Sequence, residues 1–187
     1  NKCNLITTKY EKDERLEVLI NNRYNDLIKY HNKTYAMKFK NIISKVVEKD
    51  KKFKSKKFKL SRLIINTLFK TMAYKDEFEV ARLYTDGRFK KYLDENFEGN
   101  FKLGIYLSPP ILNLKDSITK NPKKVLFTKK IFYLFSILKR LKFLRNTPLN
   151  IFAYSVERKK EKKLIKTLDD CINLILKKLN NNNYKNS

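Results

Sequence analysis

Residues 72–87 read Met-Ala-Tyr-Lys-Asp-Glu-Phe-Glu-Val-Ala-Arg-Leu-Tyr-Thr-Asp-Gly, in a chain of 187 residues where Lys and Arg outnumber Asp and Glu by 44 to 19. Three acids, Asp76, Glu77 and Glu79, crowd neighbouring helical positions here, with Lys75 and Arg82 in reach and Asp86 close behind. Helical spacing sets Lys75 against Glu79 at i,i+4 and Glu79 against Arg82 at i,i+3, a ladder of ion pairs along one face. The opposite face offers Met72, Phe78, Ala81 and Leu83 or Tyr84 to a core. An acidic island in a chain of formal charge +25 has little to do with solubility. Lys75, Asp76, Glu77, Glu79, Arg82 and Asp86 therefore form the candidate cluster, a structural ion-pair group in the first reading and a docking or catalytic surface in the second.

The same periodicity extends in both directions. Leu60, Leu63/Ile64, Leu68 and Met72 line one side of a central helix over residues 60–84, with Ser61 as its cap. Upstream from Lys12, Leu16, Leu19/Ile20, Tyr24 and Leu27/Ile28, then Ala36, Phe39, Ile42/Ile43 and Val46/Val47, recur at three and four. They predict one long helix, or two nearly collinear ones broken near Asn32. Downstream, Gly87 provides a turn before a short helix at 88–96. Phe101, Leu103, Ile105 and Leu107 alternate with Lys102, Gly104, Tyr106 and Ser108 at the period of a half-buried strand, closed by Pro109-Pro110. Residues 124–128 are its only internal partner, unless a neighbouring domain serves. The last helix, from Ser155, places Leu164, Leu168, Cys171/Ile172, Ile175 and Leu179 in a stripe that closes a bundle. The expected fold is mainly α, a multi-helix bundle of long amphipathic helices with one short β element at about 101–107, paired with 124–128. Its organisation is a lead-in or end of a preceding domain at 1–11, a helical domain at 12–179 and a disordered tail at 180–187.

Composition bounds the function. With 42% hydrophobic residues and thirteen Phe the chain can bury a core, and only three Gly and four Pro disfavour a turn-rich β fold. The cationic surplus is 36 Lys to 8 Arg beside abundant Asn and Ile, the signature of AT-rich codon drift rather than of base-reading arginine forks. Residues 49–59 carry seven Lys against Asp50 and read as a solvated loop. Their alternative is a polyanion clamp in which Phe53 and Phe58 stack on bases. Cys3 and Cys171 are too far apart in sequence for a CxxC pair, an iron–sulfur cluster or a structural zinc, and suit a reducing cytoplasm. The sole histidine, His31, reads as a solvated or hydrogen-bonded ring, so no Ser/His/Asp or Cys/His arrangement can be assembled. Residues 131–138, Ile-Phe-Tyr-Leu-Phe-Ser-Ile-Leu between cation pairs, are far short of the roughly 20 apolar residues of a spanning helix. They read as a core helix, with a basic amphipathic helix on a membrane surface as the alternative. No signal peptide is visible, and a start at Asn suggests a piece of a longer polypeptide.

Residues 73–87 resemble a signature run of the C-terminal helical domain of fused, single-chain indolepyruvate ferredoxin oxidoreductases. The resemblance continues through Phe97-Glu98-Gly99-Asn100 to Leu107-Ser108-Pro109-Pro110 and in Glu157-Arg158-Lys159, and covers about Leu16 to Leu179. Where that family carries a Pro- and Gly-containing turn, this chain has Asn150-Ile151-Phe152-Ala153. The resemblance implies a cytoplasmic enzyme, dimeric, that oxidatively decarboxylates aryl 2-keto acids to acyl-coenzyme A. Thiamine diphosphate, magnesium and iron–sulfur clusters would belong to its other domains, with ferredoxin as the indirect electron acceptor. This chain has no Gly-Asp-Gly…Asn run, no cysteine cluster and no glycine-rich loop, so no catalytic, cofactor-binding or metal residue is assigned to it. The implied role is an accessory domain packing on the catalytic domains or the dimer interface. The alternative is a free-standing Lys-rich module for nucleic acid, another polyanion or a membrane surface.

Overall fold

A computed structural model describes residues 15–53, 57–108, 123–180 and 184. Among them are seven α-helices, two 3₁₀ segments and a two-stranded antiparallel sheet, the mainly α fold with a short β element that the periodicities predict. The chain divides into two compact units, Asn1–Ala73 with Lys163–Ser187, and Tyr74–Lys162, where the sequence reading draws one domain over 12–179.

In the first unit, α1 (Leu16–Tyr30) and α2 (Lys33–Lys52) are separated by only His31 and Asn32. They are not collinear. Glu17, Ile20 and Asn21 of α1 line one groove with Lys40, Ile43, Ser44, Val47, Glu48 and Lys51 of α2, so the chain reverses into a helical hairpin. The reversal has a local cause: Asn32 is extended, and its side chain accepts the Tyr35 N–H at 2.8 Å, restarting the helix in a new direction. Then α3 (Lys59–Met72) packs on both helices. Leu27, Phe39, Ile43, Val46, Ile65 and Leu68 are essentially inaccessible and make up the core. The later part of α7 (Val156–Lys178) adds Ile172, with Leu168 and Ile175 half-buried and Leu179 beyond its end, as the stripe predicts. Leu164 and Cys171 of the expected stripe face outward.

Three expectations fail in this unit for identifiable reasons. Ser61 is not a cap, since α3 starts after Phe58, whose φ of 46° stands in the left-handed region; Ser61 instead turns inward. There its backbone N–H and hydroxyl both donate to one carboxylate oxygen of Asp50, at 3.0 and 2.6 Å. Asp50 is fully buried at the end of α2 and is no counter-charge of a solvated loop, although residues 54–56 of that loop lie outside the described residues. The third surprise is Tyr184, expected in a disordered tail. Its hydroxyl donates to the other Asp50 oxygen at 2.6 Å, and its ring stacks on Phe53 at 4.5 Å. Residues 1–14, 181–183 and 185–187 are likewise outside the description.

The second unit contains α4 (Glu77–Thr85), α5 (Arg88–Asn96), β1 (Ile105–Leu107), β2 (Val125–Phe127), α6 (Ile131–Leu138), the 3₁₀ segments Lys139–Asn146 and Ile151–Tyr154, and the first turns of α7. The strands pair antiparallel in the register Ile105↔Phe127, Tyr106↔Leu126, Leu107↔Val125. Ile105 joins Ala81, Ile131 and Phe135 in a small core, flanked by Val80, Tyr84, Leu107, Phe127, Phe132 and Leu138. Tyr84, Phe89, Phe132 and Phe135 form an aromatic group with ring centroids 4.9 to 6.4 Å apart. Gly87, at φ +92°, makes the turn between α4 and α5 that few side-chain-bearing residues tolerate.

The central helix predicted over 60–84 is two helices, since residues 73–76 leave the helical conformation. Asp76 is the reason. It is extended at ψ 178° and its side chain accepts the Glu79 N–H at 2.8 Å, while Glu77 and Glu79 occupy the first turn, where carboxylates suit the helix dipole. The clustered acids thus mark a helix start, a signal that hydrophobic period alone does not carry.

Candidate functional site: a buried arginine–carboxylate cluster

The break before α4 reassigns every charge in the candidate cluster. Lys75 precedes the helix, outside the i,i+4 helical geometry expected between it and Glu79; its carbonyl accepts from Arg158 Nη2 at 3.3 Å. The Glu79–Arg82 rung is present and bidentate, with Arg82 Nε and Nη2 donating to the two Glu79 oxygens at 2.8 and 2.6 Å. Arg82 Nη1 also reaches Asp86 at 3.1 Å, and Arg88 donates to the same Asp86 oxygen through Nε at 2.9 Å and Nη2 at 2.5 Å. At the Asp86 carboxyl, burial pushes the pKa upward, but the Arg88 hydrogen bonds and the Arg88 and Arg82 charges prevail and hold it below its usual value.

Two further arginines enter from distant sequence. Arg145, in the 3₁₀ segment after α6, donates through Nε and Nη2 to the two oxygens of Asp76 at 2.5 and 2.7 Å. Both side chains are almost completely buried, 4% and 3% exposed, and the guanidinium also lies over the Phe78 ring at 5.5 Å. Asn150 supports it from behind, donating to the Arg145 carbonyl at 3.1 Å, while its own oxygen accepts the Phe152 N–H. Asn150 is itself buried. Arg158, in the first turn of α7, meets Glu161 at 2.5 Å and Glu77 at 3.5 Å and lies over the Tyr74 ring at 5.2 Å. Burial pushes the Glu77 carboxyl up more than Arg158 pulls it down, and its Oε2 is buried without a hydrogen-bond partner. Burial, seconded by Asp76, raises the Tyr74 phenol, and burial with the charges of Arg145 and Arg82 lowers the Lys142 ammonium.

Asp76, Glu77, Glu79 and Asp86 are thus each met by an arginine of this chain, and none projects as a free acid. Arg145, Arg158, Tyr74 and Glu161 are the members that periodicity misses. Their available signal is residue type: only eight cations of 44 are Arg, and four of those eight, Arg82, Arg88, Arg145 and Arg158, stand at bidentate or multiply bonded acids. His31 is buried with its ring edge-on to Tyr35 at 5.4 Å, and Cys171 is a free, exposed thiol. Among the described residues no group of three or more His, Cys, Asp or Glu is placed to hold a metal ion, and no helix is long and apolar enough to cross a membrane.

Taken together, fold and site define a basic, mainly helical chain of two compact units, the second of which folds its acidic cluster inward as a set of charge-paired hydrogen bonds. Within that class, the chain belongs to DUF6537, a family of unknown function whose model matches residues 16–187. No curated protein and no solved structure matches it.

Proposed function

We infer that this chain is a non-catalytic accessory domain of a cytoplasmic indolepyruvate ferredoxin oxidoreductase-like enzyme, packing on its catalytic domains or dimer interface. The observation that carries the reading is the resemblance of residues 73–87. The way that run is used supports the non-catalytic part: its four acids are spent on Arg82, Arg88, Arg145 and Arg158. Carboxylates held in this way fix α4 against two other segments of the same unit, and Glu77 Oε2, which has no hydrogen-bond partner, is buried. Thiamine diphosphate, magnesium, iron–sulfur clusters and the reduction of ferredoxin fall to other domains of the enzyme in this reading.

The test starts from the gene. The reading frame should continue upstream into a thiamine-binding and a cysteine-cluster segment. Deleting the domain from that polypeptide should weaken its assembly while 2-keto-acid-dependent ferredoxin reduction by the remaining assembled fraction survives. The isolated chain should bind no thiamine diphosphate by calorimetry and show no iron–sulfur absorbance. Stoichiometric cofactor on the isolated chain, or a frame without those upstream segments, ends the reading.

A further inference from the structure

From Lys123 to Val156 the sequence contains eight Lys or Arg and no Asp or Glu. In the middle of that stretch, α6 is apolar on both sides. Ile131, Phe135 and Leu138, at i, i+4 and i+7, are the inward side. Lys130, Tyr133, Leu134 and Ile137 recur at i, i+3, i+4 and i+7, and Arg140 follows. All five are exposed, Tyr133 at 78% and Ile137 at 59%. Lys129, Lys130 and Arg140 make no ion pair among the described residues, so their charges remain available.

We propose that the outward face of α6, an apolar stripe of Tyr133, Leu134 and Ile137 with Lys129 and Lys130 at one end and Arg140 at the other, docks on the surface of an anionic lipid membrane. Charge decides between occupants. A second copy would bring a cation-only segment against itself, with no acid from Lys123 to Val156 to answer it. Nucleic acid would use the cations but gain nothing from Leu134 and Ile137, which have no face for base stacking. An anionic leaflet uses both: lipid phosphates and carboxylates meet the cations, whose long stems reach the headgroups, while the aliphatic side chains enter the acyl boundary and Tyr133 sits at the interface. At eight residues, about 12 Å, α6 lies in the surface rather than across it.

The experiment is co-sedimentation of the 187-residue chain with vesicles of equal parts phosphatidylserine and phosphatidylcholine, and with phosphatidylcholine alone. Binding is expected to the mixed vesicles only. Lys130→Gln with Arg140→Gln should weaken it about thirtyfold, from two cations at the anionic surface. Leu134→Ser with Ile137→Ser, both exposed and so neutral for the fold, should weaken it about tenfold or more. Because the chain contains no Trp, Leu134→Trp adds a single reporter whose emission should shift to the blue on the mixed vesicles. Full binding by the Leu134/Ile137 variant, or an unshifted Leu134→Trp spectrum, would show that the +25 charge acts diffusely and overturns the α6 site. Absence of vesicle binding, or self-association dissolved by the Leu134/Ile137 variant, overturns it in favour of a protein partner.

Discussion

Replacing Arg145 by Ala removes the guanidinium that meets both oxygens of Asp76, and leaves that carboxylate buried with the Glu79 N–H at 2.8 Å as its remaining donor among the described residues. With Asp76 3% exposed, water cannot take over the lost bonds without opening the segment. Breaking a buried pair from one side costs about 3–5 kcal/mol. For a chain of this length that corresponds to roughly 2–4 °C per kcal/mol, or a melting point about 6–20 °C lower. Asp76→Asn tests the other side: it keeps an oxygen to cap α4 but strands the Arg145 charge, so its cost should be similar. The internal control is Arg88→Ala, which removes a partner of Asp86 that is itself 55% exposed and should cost only about 0.2–1 kcal/mol. The double variant Arg145→Ala with Asp76→Asn should be markedly less harmful than the sum of its parts, because neither leaves the other's charge unpaired. Thermal melts and urea midpoints of the four proteins measure this. Additive losses, or an Arg145→Ala no worse than Arg88→Ala, would refute the claim that this pair is buried and coupled.

Three further outcomes are expected. Tyr184→Phe removes one of the three hydrogen bonds to the buried Asp50 and should cost about 1–3 kcal/mol in urea unfolding, against no change if the tail were free. Asp86, held below its usual pKa in the fold, contributes stability that is complete above the ordinary carboxylate range and is lost as pH falls through the folded value; Asp86→Asn should therefore trail the wild type at neutral pH and converge with it in acid, in melts run from neutral pH downward. Glu77 runs the other way: its raised pKa means the folded state holds the proton more tightly, so stability falls as pH rises through that range, and the stability of Glu77→Gln relative to wild type should grow between acid and neutral pH.

Helical periodicity is a statement about which residues share a face, and it served wherever a face was buried along its whole length. The α2 positions Ala36, Phe39, Ile43 and Val46 are of this kind, whereas in α7 Ile172 is buried but Leu164 exposed. The alternation expected over 101–107 forms a strand only at Ile105–Leu107, with Ile105 buried and Phe101 exposed. It failed wherever polar chemistry set the chain's direction. The turn at Asn32, the start of α4 at Asp76 and the inward rotation of Ser61 each depend on a side chain bonding to backbone or to a buried acid, and such bonds leave the hydrophobic period undisturbed. The candidate cluster divides the same way. The rung between Glu79 and Arg82, three residues apart on one helix, is legible. The partners Arg145 and Arg158 stand 69 and 81 residues from Asp76 and Glu77, beyond any local rule.

Residue choice within the cations carries the remaining information. At an exposed position a Lys and an Arg do nearly the same work, so Lys can fill such positions at little cost. At Asp76 the requirement is different. Two carboxylate oxygens must be met at 2.5 and 2.7 Å by one side chain that also lies over Phe78, and a planar fork with fixed donors does this where a single ammonium cannot. The same geometry recurs at Glu79, with donors at 2.8 and 2.6 Å from Arg82. Arginine in a lysine-flooded chain is therefore a marker of geometric demand, and the converse also holds. Arg140, exposed beside the apolar face of α6, meets no acid among the described residues, so the demand that explains Arg82 and Arg145 is absent there. Arg140→Lys should leave both stability and vesicle binding unchanged, because an anionic leaflet reads charge rather than a fork, whereas Arg145→Lys should lose most of what Arg145→Ala loses.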